Sequence, residues 1–418
     1  MGHTVAVIGA GLAGLRCALL LKEAGIDVHV FEREHQVGGR MRTEKVDGFL
    51  LDYGFHVMQT AYPTSQRAFN FEDLGVQAFE PGALVVKTWK SKAKFWRLAD
   101  PFRRPIQGIL TGINGFTSPI NLLRIGLLRA KVRRGLLSHV YTKGDEESGV
   151  WLAKRGFSKS MIDQFFHPLF SGIFLEDELR TSERMFRFVF RMMSKGEMVL
   201  PREGIVAAPR SLADALGSGR IHLDTQIEQI DASTLTVNGE RQTFAAIVHA
   251  YNPRKQESKR HVWTLHFDAS SSPLSSKHIV LNGDVKTKQQ LIAHVAVPSD
   301  IQPSYAPRGR SLVTVTIVGE AAEKLGLTQP EAIQTKALQE LRGWFGSQVD
   351  AWRSLAIQHI EHALPEVGPH SGLSDLPRKG DGFFECGDHM MHGSVEGALL
   401  SAEQTFQQVL EALQHDDD

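Results

Sequence analysis

Gly9-Ala10-Gly11-Leu12-Ala13-Gly14 is the first stretch of the chain whose residue types could do chemistry. It lies between an apolar run, Thr4 to Ile8, and a helical pattern starting at Gly11, and Glu32 follows at the end of a second apolar run. In that setting Gly9 makes a tight turn, Gly11 lets a pyrophosphate approach the backbone, and Gly14 lets helix and strand pack closely. The helix N-terminus, with Leu12 and Ala13 in its first turn, adds amide donors and the positive end of a dipole. Glu32, with Arg33 beside it, can accept hydrogen bonds from both hydroxyls of a ribose, which favours an adenosine lacking a 2′-phosphate. The chemistry these residues suit is dinucleotide binding.

Two more stretches suit phosphates and sugars. Gly38-Gly39-Arg40-Met41-Arg42-Thr43 is followed by Gly48, Asp52, Gly54, Phe55 and His56. A glycine pair lets the backbone fold closely over a diphosphate, and the Arg40 guanidinium can neutralise it. Near the other end of the chain, Gly382-Phe383-Phe384-Glu385-Cys386-Gly387-Asp388 precedes Gly393-Ser394-Val395-Glu396-Gly397-Ala398 and Leu399-Leu400-Ser401. This reads as strand, loop and helix, with Gly387-Asp388 suited to a pyrophosphate or a polyol. Ser394, Val395 and Ala398 lie at the helix start, whose amides and dipole would stabilise negative charge on a bound ring.

These groups need a scaffold. Thr4 to Ile8, Gly11 to Ala24 and Asp27 to Phe31 read as a βαβ opening, which implies a parallel sheet. An alternating, hairpin-like region leads to Tyr53-Gly54, and from about Pro81 the pattern loosens into basic and aromatic residues, where a new domain begins. Trp151 to Met193 reads as largely helical until Pro201 to Gly204 break it, and Ala207 to Ala215 reads as a short helix. Ile221 to Ile230, Thr234 to Val237 and Phe244 to Ala250 read as strands, with Asn238-Gly239 as a hairpin turn. Between His261 and Gly319, alternating segments predict an antiparallel sheet covered by a helix from Pro330 to Phe345. A strand at Gly382 to Glu385 and a helix from Val395 to Leu413 complete the pattern.

On these motifs the sequence resembles the flavin-containing amine oxidase superfamily, which includes monoamine and polyamine oxidases, protoporphyrinogen oxidase and the carotenoid (phytoene) desaturases. Pro201-Arg202-Glu203-Gly204 resembles the segment that returns to the cofactor domain, although the family usually has two glycines where this chain has Glu203-Gly204. The resemblance implies an α/β fold: a Rossmann-like FAD-binding domain of the two-dinucleotide-binding type with an inserted α+β substrate domain. The expected division is residues 1–80, 200–260 and 355–418 for the FAD-binding domain, and 81–199 and 261–354 for the substrate domain. It implies non-covalent FAD, with the Gln226 to Glu228 backbone near the adenine, Ile227 foremost, and the loop of Gly54, Phe55 and His56 near the flavin. His56 is the candidate catalytic side chain, with a packing or hydrogen-bonding histidine as the alternative. Amine oxidases of the superfamily commonly place an aromatic ring where this chain has Ser394, whereas the run from Ser394 to Ala398 and Asp52-Tyr53-Gly54-Phe55-His56-Val57 look like the desaturases. The expected activity is FAD-dependent hydride transfer between a C–H or C=C of an apolar, isoprenoid-like substrate and the flavin, of desaturase, dehydrogenase or isomerase type. A flavin amine oxidase using oxygen and a non-catalytic flavin-containing binding protein are the alternatives.

Composition narrows the setting. Lysine plus arginine equal aspartate plus glutamate at 47 each, so no global field favours nucleic acid or acidic ligands. Cys17 and Cys386, the chain's 2 cysteines, have neither metal-site nor disulfide spacing, which suits a reducing, cytoplasmic setting. His389 and His392 lack a third ligand nearby and read as polar lining, so no metal is expected. From Lys87 to Arg134, basic residues including Arg103, Arg104, Arg124, Arg129 and Arg133 alternate with apolar ones including Trp96, Phe102, Ile109, Leu110, Phe116, Leu123, Leu127 and Leu128. Such a segment suits the surface of an anionic membrane, from which a lipid substrate could enter and a quinone could collect electrons. A solvated basic helix packing its leucine face on the domain is the competing reading.

Overall fold

The computed structural model describes residues 3–90, 92–99, 115–134, 146–231, 233–252, 260–369 and 383–416. Strands β1 (Thr4–Ile8) and β2 (Asp27–Phe31) flank helix α1 (Leu12–Glu23), the βαβ unit expected from the sequence. They lie in a five-stranded parallel sheet with β10 (Ile221–His222), β14 (Ala246–His249) and β20 (Phe383–Glu385), in the order β10-β2-β1-β14-β20. Short and distant segments thus pair around one apolar opening strand. Helix α1 is buried along most of its length, against α7 (Ala207–Leu216) and α10 (Val395–Asp416). Val5, Val7, Leu15, Val30, Val248 and Leu399 join in this core.

The second large layer is a seven-stranded sheet in the order β19-β15-β18-β17-β16-β7-β8. Its strands are β7 (Gly82–Trp89), β8 (Lys92–Ala99), β15 (Val262–Ala269), β16 (Val280–Asn282), β17 (His294–Ala296), β18 (Ser311–Val318) and β19 (Arg353–Ile360). One face carries Leu265, Phe267, Val313, Val315 and Ile317, which pack against Ile333, Ala337 and Leu341 of helix α9 (Pro330–Phe345). The covering helix has the bounds read from the sequence. The sheet is mixed, because β16 runs parallel to β7. The loosened pattern after Pro81 is in fact the β7–β8 hairpin, in which exposed Lys92, Lys94 and Arg97 mask an edge strand.

On its other side this sheet meets a helical layer. It comprises α3 (Pro119–Arg134), α4 (Ser148–Lys154), α5 (His167–Phe174) and α6 (Glu183–Lys195), with a π-helical turn at Ile162–Phe166. Ser182 caps α6 by accepting from the Arg184 N–H, and Met185, Phe186, Val189 and Met192 recur on its buried face. Smaller strands join the layers. β3 (Thr43–Val46) and β4 (Phe49–Asp52) form a hairpin, while β9 (Met198–Leu200) pairs with β5 (Met58–Gln59) and β6 (Gln77–Ala78).

The single strand read from Ile221 to Ile230 is two strands in different sheets. After β10 the chain turns at Asp224, whose φ is 50°, and then enters β11 (Ile227–Asp231). β11 pairs with β12 (Thr234–Val237), which pairs with β13 (Glu240–Thr243) across the Asn238-Gly239 turn. β13 is exposed throughout, so it leaves no apolar trace in the sequence.

Candidate functional site

The glycine positions divide by what a side chain would meet. Gly9 adopts φ 110°, open to glycine, and its N–H donates to the Phe31 carbonyl. A Cβ on Gly14 would overlap the Gly9 carbonyl oxygen and press on Ala250, so this glycine serves helix–strand packing. A Cβ on Gly11 would meet no protein atom within 4 Å. Gly11 is also the N-cap of α1, without a side-chain cap, and the first turn holds no acidic residue. Open space, uncapped amides and the helix dipole coincide there, which fits a pyrophosphate. Leu12 and Ala13 turn their side chains into the core, leaving their backbone to that site. Gly38 bridges to Gly11, donates to the Ala10 carbonyl and accepts from the Met41 N–H, so Gly38-Gly39 closes over the same opening. Met41 itself is buried in the core.

The Glu32 carboxylate is buried and already oriented. It accepts from the Ala10 N–H at 2.7 Å and the Glu34 N–H at 3.0 Å, with remaining lone pairs for a ribose. Arg33 is exposed and pairs with Glu34. The Thr225 N–H donates to the Glu32 carbonyl, so the turn leading into Ile227 lies against the acidic residue. Ile227 opens β11 and packs on the cluster of Phe31, Leu235 and Phe244.

The second and third glycine stretches meet through Arg40. Its guanidinium donates to Asp388 Oδ1 at 2.5 Å and to the Ala363 carbonyl at 2.6 Å, joining residues 348 positions apart. The Gly387 N–H donates to Ser401 Oγ at 2.7 Å, which fixes the loop on α10. Ser394 Oγ accepts from the Gly397 N–H at 3.1 Å, and it also touches His392 Nδ1. Ser394 is thus the N-cap of α10, and Val395 and Ala398 follow, half-buried, on the core side.

Gly54, Phe55 and His56 form the loop between these stretches and the large sheet. The Gly54 N–H donates to Gln358 Oε1 of β19 at 2.9 Å, and the Phe55 ring meets His294 of β17 edge-on at 5.5 Å. His56 Nε2 donates to the Tyr53 carbonyl at 2.8 Å, which leaves Nδ1 as an acceptor. Burial, and less strongly the Arg40 charge, hold the imidazole down to about 4, so it is neutral near pH 7. Arg42 stacks its guanidinium on Tyr53, 3.7 Å from the ring centroid.

Sequence reasoning missed three joints. The Glu396 carboxylate accepts from the Thr64 N–H, the Thr64 hydroxyl and the Ser65 N–H, so α10 ties down the start of α2 (Pro63–Ala68). Asp52 accepts from Thr43, from the Ile205 N–H and from the Tyr305 hydroxyl, and burial raises its carboxyl to about 6. Tyr62 stacks parallel on Phe188 at 5.7 Å and lies near Ser394, which brings an aromatic ring toward the α10 N-cap from α2's own N-cap position. Only the Ser394-x-x-Gly397 capping pattern carried a readable trace; the partners lie hundreds of residues away. The departure at Glu203 is harmless, because Glu203 is exposed and pairs with Arg210, while Gly204, at φ 84°, is the position a Cβ would jam against Thr43.

Residues 12–410 match the model of the family described as flavin containing amine oxidoreductase. The chain belongs to that family. Membership fixes the cofactor as FAD and the coarse class as FAD-dependent oxidoreductase, and the open cradle over Gly11 with the oriented Glu32 fits that cofactor. The 15-cis-phytoene desaturase of Arabidopsis thaliana is 23% identical over 460 aligned positions, covering 97% of this chain and 80% of that protein. Protoporphyrinogen oxidase 2 of the same plant is 28% identical over 181 residues, covering 41% of this chain and 32% of its own length. The chain thus spans about a third of the protoporphyrinogen oxidases it matches. Among solved structures, an oxidoreductase from Methanosarcina mazei has a TM-score of 0.71 at 18% identity, covering 98% of this chain and 100% of its own. Cyclohexylamine oxidase from Brevibacterium oxydans reaches 0.71 at 15% identity, covering 99% and 100%. At these identities the structures establish a shared fold of mixed α/β sheets.

Proposed function

We propose that the protein transfers hydride between a carbon of a mainly apolar, isoprenoid-like substrate and FAD, as a desaturase, dehydrogenase or isomerase. The observation that carries this reading is the surface beside the Gly54 to His56 loop. Phe55 of that loop, together with Tyr62, Phe165, Ile173, Phe190 and Met193, is partly buried and packs on the core around Phe166, Phe170 and Phe186. Such a wall desolvates a hydrocarbon. Ser394, the position where amine oxidases of the superfamily commonly hold an aromatic ring, is occupied with capping α10. The likeness to a phytoene desaturase along 97% of the chain also supports the reading.

Bound FAD supplies the two-electron acceptor for the hydride. The chain's residues bind and orient. The α1 N-terminus and the Gly38-Gly39 turn take the pyrophosphate, Glu32 the ribose, and Arg40 holds the two distant loops in register. His56, neutral and tethered through Nε2, orients its loop and offers Nδ1 as an acceptor. Anaerobic mixing of the purified holoprotein with isoprenoid lipids and with simple amines, followed by mass analysis of the product, tests this. Bleaching of the flavin by a lipid, with loss of two hydrogens from that lipid, supports it. Bleaching by amines alone, with peroxide on admission of air, overturns it in favour of an amine oxidase. No bleaching by either, with a copurifying protein, favours a binding role.

The delivery surface we infer is α3. Its inner face packs Leu128 and Val132 toward α6, and Arg129 and Arg133 donate to the Ser194 carbonyl near the end of that helix. Trp96 and Phe116 are also core, so much of the basic, aromatic stretch is structural. Ile120, Leu123 and Leu127 remain 59%, 64% and 62% exposed on the outer face, and Lys131 and Arg134 continue it. An apolar stripe leading into positive charge suits an anionic bilayer, and a quinone dissolved there is the acceptor we expect. No described helix is long and apolar enough to cross a membrane. Phe102, Arg103, Arg104, Ile109 and Leu110, read as part of this surface, lie outside the described residues.

A further inference from the structure

One row of the seven-stranded sheet is polar where both neighbouring rows are satisfied or apolar. Strand register sets Gln358, Thr264, Thr316 and His294 side by side across β19, β15, β18 and β17, all on the face turned away from α9. In antiparallel pairs, residues directly opposite share a face. One step along the strands, the row above is Ile360, Val262 and Val318. The row below holds Ala356, His266, Thr314 and Ala296, where His266 is paired with Thr314 and Gln358.

Thr264, Thr316 and His294 are 0%, 3% and 3% exposed, yet Thr264 Oγ1, Thr316 Oγ1 and His294 Nδ1 have no hydrogen-bond partner among the described residues. Groups this deeply buried are nearly always paired, so three orphans in adjacent register positions mark a place for a missing partner. The row also touches the candidate site directly. The Gly54 N–H is bonded to Gln358 at one end, and Phe55 lies against His294 at the other.

The chemistry of that partner follows from the donors. The His294 ring lies against Gly172 of α5, with Nε2 the nitrogen turned to that glycine, and burial holds it down to about 4. It is therefore neutral, and Nδ1 is a bare acceptor for an O–H. The two threonine hydroxyls can donate to or accept from the same oxygen. Charge is absent from the row. On this face Asp268 is paired with Arg310 and Arg353, and Arg260 is bonded to Phe174, Thr181 and Glu176. Asp52, beside His266 and Thr314, is likewise already bonded to Thr43, Ile205 and Tyr305, so among the described residues around the row an ammonium or carboxylate would find no unpaired counter-ion.

We infer that Thr264, Thr316 and His294 form a subsite for an uncharged hydroxyl group on the apolar substrate, so that the preferred ligand is an isoprenoid alcohol. This rests on the apolar-substrate reading of the site beside it. The test is a titration of the FAD-loaded protein in detergent with three ligands on a C20 isoprenoid chain, followed by the shift in flavin absorbance: geranylgeraniol, its methyl ether and the hydrocarbon phytene. The alcohol is expected to bind about tenfold or more tighter than the hydrocarbon, with the ether between because it cannot donate to Nδ1. Thr264→Val and Thr316→Val, near-isosteric, are each expected to reduce the alcohol-to-hydrocarbon ratio by about tenfold. Thr264→Ser and Thr316→Ser keep the hydroxyl and are expected to retain the ratio, and the flavin spectrum of each variant reports its fold. Equal affinity for all three ligands, or a ratio the valine variants leave alone, overturns the inference and assigns the row to ordered water or the cofactor. Binding of none of the three overturns the apolar-substrate reading itself.

Discussion

Two glycines three positions apart in the same turn should fail in different ways. Alanine at Gly14 would place its methyl on the Gly9 carbonyl oxygen, backbone that cannot swing aside. We expect Gly14→Ala to lose about 3 kcal/mol of stability in urea unfolding, with or without flavin. Gly11 has φ −74° and open space above it, so alanine there is compatible with the protein alone. Gly11→Ala should unfold within about 0.5 kcal/mol of the unmodified protein when stripped of flavin. It should nonetheless bind FAD about tenfold or more weakly by absorbance titration. Equal flavin affinity in Gly11→Ala would count against a pyrophosphate at that amide. At this scale the sequence was informative, because glycine spacing reports backbone requirements directly. It was silent on Tyr62 and Gln358, whose roles arise from partners on other segments.

Helix α10 does more than close the first sheet. Through Glu396 it supplies the acceptors for the first amides of α2, a short helix starting at Pro63 that has no side-chain cap of its own. Glu396→Ala would leave those buried donors unpaired, and we expect a loss of about 3 kcal/mol in urea unfolding. Glu396→Gln keeps one acceptor oxygen and should lose less than half as much. Helix α3 invites a different measurement. Leu123→Glu with Leu127→Glu should leave thermal unfolding within a degree or two of the original, since both side chains are outward, a surface change worth about 0.5 kcal/mol at most. Flotation with vesicles containing phosphatidylglycerol should fall by about fivefold or more. Elements built on strong apolar periodicity, such as β1, α1 and α9, were legible in the sequence. The β7–β8 hairpin was not, because lysines on its open side mimic a loop, and the split between β10 and β11 was not, because isoleucines recur through both and only the turn at Asp224 divides them.

Across the whole molecule, several buried histidines dominate the response to acid. Burial holds His56, His266, His294 and His392 down to about 4 from an ordinary 6.5. The unfolded chain binds protons more readily than the folded one between those values, so the stability these neutral rings contribute is complete above about pH 6.5 and is lost toward pH 4. Each adds a slope of up to about 1.4 kcal/mol per pH unit. Asp52 acts in the opposite sense. Its carboxyl is raised from 3.8 to about 6, so its contribution improves as pH falls through that window. Burial raises Glu340 and Glu396 as well and lowers His222, His249 and His359, so the rings outweigh the carboxyls and the urea midpoint should fall between pH 6.5 and 4.5. A midpoint flat over that range would mean the rings are charged in the folded state. The convergence of three glycine stretches on one cradle could be expected from the sequence, since each is incomplete alone. The row Gln358-Thr264-Thr316-His294 could not, because its members come from four strands and share only a register.

The ion pair of Arg40 with Asp388 also sets an order of events during synthesis. Ribosomes add about 5–20 residues per second, so on the order of tens of seconds separate these two residues. During that interval the βαβ opening can fold and expose its amides, yet the loop that completes the cradle does not exist. On the proposed assignment of the cradle, the complete cofactor site therefore forms only after translation has passed Asp388.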